Sequence, residues 1–186
     1  MIEMDELNLV NACLKKDNIA QKKLYESYAQ QMMGICFRYT GNIEIAQDLL
    51  HDGFIKVFES IHSFQYRGNG SLKAWMSKIF TNTSLEYLRK NERKKEFIAL
   101  DDWKEIEIID NEQELDLIPD HVLMNFISDL PVGYRTIFNL YTFEELSHRE
   151  IGKTLGINES SSRSQLSRAK TILTQKIKDY IKLNGQ

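Results

Sequence analysis

The stretch His148–Leu173, HREIGKTLGINESSSRSQLSRAKTIL, decides the fold. Ile151 and Leu155 lie one helical turn apart, so they share an inward face. Gly152 stands between them, a small residue where a second helix could approach closely. Gly156 falls at the position where a left-handed residue ends a helix. Ile157 is the apolar plug after the turn. Asn158 can cap a following helix, and Ser160 to Ser162 can bond its free N–H groups or a phosphate. From that second helix Ser161, Arg163, Ser164, Gln165, Ser167, Arg168 and Lys170 project outward. Leu166, Ala169 and Leu173 line the inner side. Outward groups of these types are the donors that reach base edges and phosphates in a major groove. The plainer alternative is a solvated amphipathic hairpin.

Working outward, strand signals are almost absent and long stretches repeat their apolar residues at three and four. The expected fold is all-α. It consists of an N-terminal helical bundle and a C-terminal four-helix helix-turn-helix domain joined by an acidic linker. Helices are expected near 5–16, 18–40, 43–62, 71–92, 120–130, 132–143, 147–155 and 159–182. The expected domains are 1–95 and 120–186, with the linker at 96–119.

Charge follows the same division. The 186 residues carry a net charge of −3, which suits a DNA-binding protein poorly. Residues 1–92 hold 11 basic and 11 acidic side chains, residues 93–120 hold 4 and 10, and residues 121–186 hold 9 and 6. The acidic middle therefore masks a basic C-terminal module, and local patches govern DNA binding more than the total does.

In residues 43–62, Ile45, Leu49, Leu50, Phe54, Val57, Phe58 and Ile61 form an apolar stripe. Gln47, Asp48, His51, Asp52, Lys56 and Glu59 form the other face, which is either solvated or a partner surface. The stretch 63–95, SFQYRGNGSLKAWMSKIFTNTSLEYLRKNERKK, begins as a loop with two glycines and two aromatics. Ser71 is the expected cap of the next helix. Leu72, Trp75, Met76, Ile79 and Phe80 form its buried stripe, and Asn82, Glu86 and Arg89 fall on another. Five of the seven residues from Arg89 to Lys95 are basic. Basic groups interleaved with aromatics suit single-stranded nucleic acid. A core tryptophan and a helix end favoured by the dipole would look the same.

The two cysteines, Cys13 and Cys36, form no metal or disulfide pattern and fit a reducing compartment. No apolar run is long enough to span a membrane, and the acidic N-terminus lacks a signal-peptide core. A cytoplasmic location with no membrane insertion is expected. No nucleophile–base constellation, phosphate-cradling glycine loop or metal site is found, so no catalytic residue and no cofactor are expected.

The order of these parts resembles the extracytoplasmic-function (ECF, group 4) sigma factors of the sigma-70 family, bacterial RNA polymerase subunits. The resemblance runs from about Leu7 to Ile181. AQDLLHDGFIKVFESI resembles the helix that docks on the polymerase β′ clamp helices. The 63–95 stretch resembles the segment that reads and melts the −10 element. LPVGYRTIFNLYTFEELSHREIGKTLGINESSSRSQLSRAK resembles the −35-reading domain. The resemblance implies that Asp48, His51, Asp52 and Lys56 meet core polymerase. It implies that Phe64 begins the loop capturing a flipped −10 base, that Asn82 lies near that pocket, and that Arg89, Arg93 and Lys94 hold phosphates. Ser160, Ser161, Arg163, Ser164, Gln165 and Arg168 would face the −35 major groove. The implied partners are the RNA polymerase core (β′ clamp helices and β flap), double- and single-stranded promoter DNA, and an anti-sigma factor where one exists. The acidic linker would thread toward the RNA path. Four residues depart from the family pattern: Ser162 for valine, Gln165 for arginine, Glu86 for aspartate and Gly152 for alanine. These bear on which −35 sequence is read. A one-component regulator would explain residues 121–186 equally well, but neither the 63–95 stretch nor the acidic linker. A protein-binding helical adaptor is the remaining alternative.

Overall fold

The computed structural model describes residues 6–91 and 118–184. The described residues form eight α-helices, one short 3₁₀ turn and no strand. They belong to two compact units, Met1–Asn91 and Glu92–Gln186. The expected linker at 96–119 lies outside the described residues, apart from Ile118 and Pro119.

The first unit holds α1 (Glu6–Leu14), α2 (Asn18–Thr40), α3 (Ile43–Ser60) and α4 (Ser71–Asn91). Each boundary has a local cause. The Asp17 carboxylate accepts the N–H of Ile19 at 2.8 Å and starts α2. Gly41 ends α2 in the left-handed region, at φ 64°, and the Asn42 side chain accepts from Ile45 N at 3.0 Å to start α3. The expected helix at 43–62 ends two residues early, where Ile61–Ser63 tighten into the 3₁₀ turn. Helix α2 packs against both α3 and α4, and α3 packs on α4. Leu24, Met32, Cys36, Tyr39, Val57, Leu72, Met76 and Phe80 are fully buried where they meet. Each such aliphatic or aromatic side chain stabilises the unit by about 1.5–3 kcal/mol. Gly53 is required here, because a Cβ on it would stand 2.2 Å from the Phe80 ring. Phe54 meets Phe80 edge-on at 5.3 Å.

The second unit holds α5 (Asp120–Ser128), α6 (Val132–Thr142), α7 (His148–Leu155) and α8 (Glu159–Asn184). Pro131 ends the path of α5 and precedes the first turn of α6. Buried Arg135 fixes this corner by donating to the carbonyls of Ser128 and Leu130. Helix α8 packs on α5, α6 and α7. Ile127, Leu130, Tyr134, Ala169 and Leu173 form the core, with Phe126, Phe138 and Ile172 against it.

Candidate nucleic-acid interface

The α7–α8 hairpin is built from local chemistry. Ser147 and Glu150 form a reciprocal capping box at the start of α7. Serine's hydroxyl and N–H both hold the Glu150 carboxylate, and these bonds keep its pKa below the ordinary value. Gly156 ends the helix at φ 70°, as its place in the sequence suggests. The Gly152 carbonyl accepts from Gly156 N and from Ile157 N. A Cβ on Gly152 would lie 2.8 Å from the Ile157 carbonyl oxygen, so the close approach is to the turn itself. Asn158 then caps α8, its side-chain oxygen accepting from Ser161 N at 2.7 Å and from the Ser160 hydroxyl at 2.8 Å.

The first turns of α8 sort their side chains by face. Ser160, Arg163, Ser164 and Ser167 are exposed, and Ser161, Arg168 and Lys170 are half-buried. Arg163 pairs with Glu159 one turn earlier. Gln165 corrects the sequence reading, because it is only 3% exposed and does not project from the outer face. It belongs to the buried stripe of Ser162, Leu166 and Ala169. Three-and-four spacing from Ser162 and Ala169 was the signal that places it there.

The structure also brings in His148, which the sequence reading gave no role. Its Nδ1 lies 2.9 Å from the hydroxyl of fully buried Ser162. Its ring stacks on Tyr141 with centroids 4.9 Å apart. Burial pushes the His148 pKa below the ordinary value, helped by the charges of Arg163 and Lys170 and opposed by Glu159.

In the first unit, the loop after the 3₁₀ turn presents Phe64 half-buried against Trp75, ring centroids 5.5 Å apart. Ser71 is not the cap of α4, as the sequence suggested, but its first residue. Its hydroxyl instead closes the loop by donating to the Gly68 carbonyl at 2.7 Å. The start of α4 is held by Glu6 of α1, whose carboxylate accepts from Gly70 N at 2.9 Å and Leu72 N at 2.5 Å. No sequence signal near Ser71 announces a partner 66 residues away.

Asn82 is exposed and lines a groove of about 370 Å³ between the end of α3 and the middle of α4. Lys56 lines the same groove, one turn along α3 from Asp52. Its ammonium donates to Glu86 at 2.8 Å and to Thr83 at 3.2 Å on α4. The hydrogen bond from Lys56 holds the Glu86 pKa below the ordinary carboxylate value. Asp48, His51 and Asp52 stay together, exposed on α3. Arg89 is exposed near the end of α4, whereas Arg93 and Lys94 lie outside the described residues.

Elsewhere, burial pushes the Cys13 thiol up to about 11 and Cys36 up to about 12, so neither is a nucleophile at neutral pH. Among the described residues no helix is long and apolar enough to cross a membrane, and no three His, Cys, Asp or Glu side chains cluster as metal ligands would.

Known proteins show the same two parts. Sigma-70 region 2 matches residues 24–94 and sigma-70 region 4 matches residues 121–173. The chain is 28% identical over 162 residues to the ECF RNA polymerase sigma factor SigE of Mycolicibacterium smegmatis, covering 86% of this chain but only 60% of that protein. It is 29% identical over 154 residues to the ECF RNA polymerase sigma factor SigM of Bacillus subtilis, covering 80% of this chain and 89% of SigM. It is 25% identical over 177 residues to SigW of the same organism, covering 89% and 92%. An all-helical chain with these two regions in this order is a sigma factor by class. More narrowly, the protein belongs to the ECF group of the sigma-70 family.

Proposed function

We propose that this sigma factor binds core RNA polymerase, reads a −35 and a −10 element, and nucleates strand opening between duplex and melted DNA. The observation that carries this reading is the second unit's face. Ser160, Arg163 and Ser164 stand exposed on a helix whose opposite stripe is anchored by Leu166, Ala169 and Leu173. A rigidly seated helix with outward donors suits major-groove readout. Its Arg163–Glu159 pair is exposed, so exchanging it for a base costs about 1 kcal/mol or less. Arg163→Ala then weakens −35 recognition by about 1–3 kcal/mol.

In the first unit the Phe64–Trp75 pair and the Asn82 groove are the proposed site for an extruded −10 base. Capture of that base recovers part of the unstacking energy. Arg89, with Arg93 and Lys94, neutralises adjacent phosphates. Asp48, His51, Asp52 and Lys56 form the proposed contact with the β′ clamp helices, Lys56 also lining the Asn82 groove. The chain performs no covalent step, since polymerase supplies the nucleotide chemistry.

Reconstitution with core polymerase followed by genome-wide mapping of start sites tests this reading. The expected result is a set of starts preceded by two common elements. Starts indistinguishable from those of core polymerase alone would overturn it.

A further inference from the structure

Ser162 is fully buried on the reading helix, a hydroxyl within a stripe that it shares with apolar Leu166 and Ala169. Its hydroxyl is not an orphan, because His148 Nδ1 lies 2.9 Å away. The His148 ring rests on Tyr141 at 4.9 Å, with 24° between the planes, and the Lys170 ammonium lies 5.8 Å from the centre of the same tyrosine ring. One imidazole therefore ties the end of α6, the first residue of α7 and the first turns of α8. Ser161 and Arg163 flank Ser162 on the face that the resemblance turns toward the −35 bases.

An apolar contact at this point would be non-directional and would admit small rotations of α8. A hydrogen bond has a narrow angular range and admits fewer. Burial first, and then the charges of Arg163 and Lys170 against Glu159, disfavour the imidazolium. A neutral imidazole offers one donor or one acceptor at Nδ1, and a hydroxyl can answer either.

We propose that His148 and Ser162 are positioning residues for −35 reading, their bond setting the rotation of α8 that aims Ser161 and Arg163 at the bases. This rests on the reading of α8 as the DNA-reading helix.

The test uses the full chain assembled with core polymerase and a duplex pool randomised over the upstream element. The enriched sequence is then compared with its single-base variants at one salt concentration, as a ratio of affinities. Phosphate contacts act on all of these duplexes alike, so the ratio isolates base reading. Ser162→Val and His148→Phe are each expected to keep the wild-type melting temperature and to lose about tenfold in discrimination. The double variant loses no more than either single one, because both remove the same bond. His148→Asn, whose amide occupies the place of Nδ1, restores the discrimination that His148→Phe loses. Should Ser162→Val melt early, the two His148 variants decide, since that side chain is only half-buried. Wild-type discrimination in Ser162→Val and His148→Phe, losses that add in the double variant, or failure of His148→Asn to restore reading would each overturn the proposal. A wild-type chain that enriches no upstream sequence overturns the reading of α8 itself, a different and visible failure.

Discussion

The two units hold their proposed DNA-contacting elements in opposite ways. In the second unit the caps and the turn of the hairpin are all set from within it, while its apolar stripe seats on the other helices of the unit. Ser147 caps α7 through Glu150, Gly156 turns the chain, and Asn158 caps α8. In the first unit the end of the loop at Gly70 and the start of α4 are held by Glu6, more than 60 residues away, while Ser71 closes the rest of the loop locally. A reader of duplex DNA can be a preformed module. The proposed site for an extruded base begins instead where distant segments meet, so its geometry depends on more of its unit. Damage far from the first unit's loop should therefore reach it, while damage to the hairpin should stay local.

The largest effect that sharpens this contrast is expected at Gly53. Gly53→Val drives a side chain into the buried Phe80 ring and should cost about 3 kcal/mol or more. Thermal unfolding followed by circular dichroism should show an early transition, and opening of duplex promoters should fail with it. Gly152→Ala is the matching test in the hairpin. The added methyl must displace the Ile157 carbonyl, so the turn shifts and stability falls by about 1–2 kcal/mol. Selectivity at −35 should change while binding to single-stranded −10 DNA does not. If single-strand binding falls equally, the units are not separately built.

Glu6→Ala comes next. It removes the acceptor for two N–H groups at the start of α4 and should cost about 1 kcal/mol. Permanganate reactivity of promoter thymines should fall more than polymerase affinity does. The smallest effect belongs to the Lys56–Glu86 pair, which is about half exposed and contributes about 1 kcal/mol or less. Because the Glu86 pKa is lowered in the folded chain, its contribution is present above the ordinary carboxylate value. It is lost as pH falls below that value. Lys56→Met should flatten the acid side of the stability profile, and an unchanged acid limb would show that the pair contributes nothing.

The sequence is most readable where structure is local. Gly41–Asn42 and Gly156–Asn158 announce their turns, because a left-handed glycine followed by a capping side chain needs nothing else. The inner stripe of α8 follows from its spacing, and the same spacing shows that Gln165 belongs inside. Lys56 is harder. Four residues after Asp52 it shares that helical face, yet its long side chain swings to Glu86, 30 residues on. The Glu6 contacts and the His148–Ser162 bond likewise join positions that no periodicity relates. The hydroxyl at Ser162 looks like a loose substitution in a core stripe until its partner is seen.

On the proposed function, the two units read two separate elements in one act of initiation. The most direct measurement is transcription from a mapped promoter by the reconstituted holoenzyme, with the −35 and −10 elements scrambled one at a time. Initiation should be lost with either element scrambled. A pre-melted −10 bubble should rescue Phe64→Ala and Asn82→Ala but not Arg163→Ala. Full activity with either element scrambled, or rescue of all three variants alike by the bubble, would contradict the proposed function.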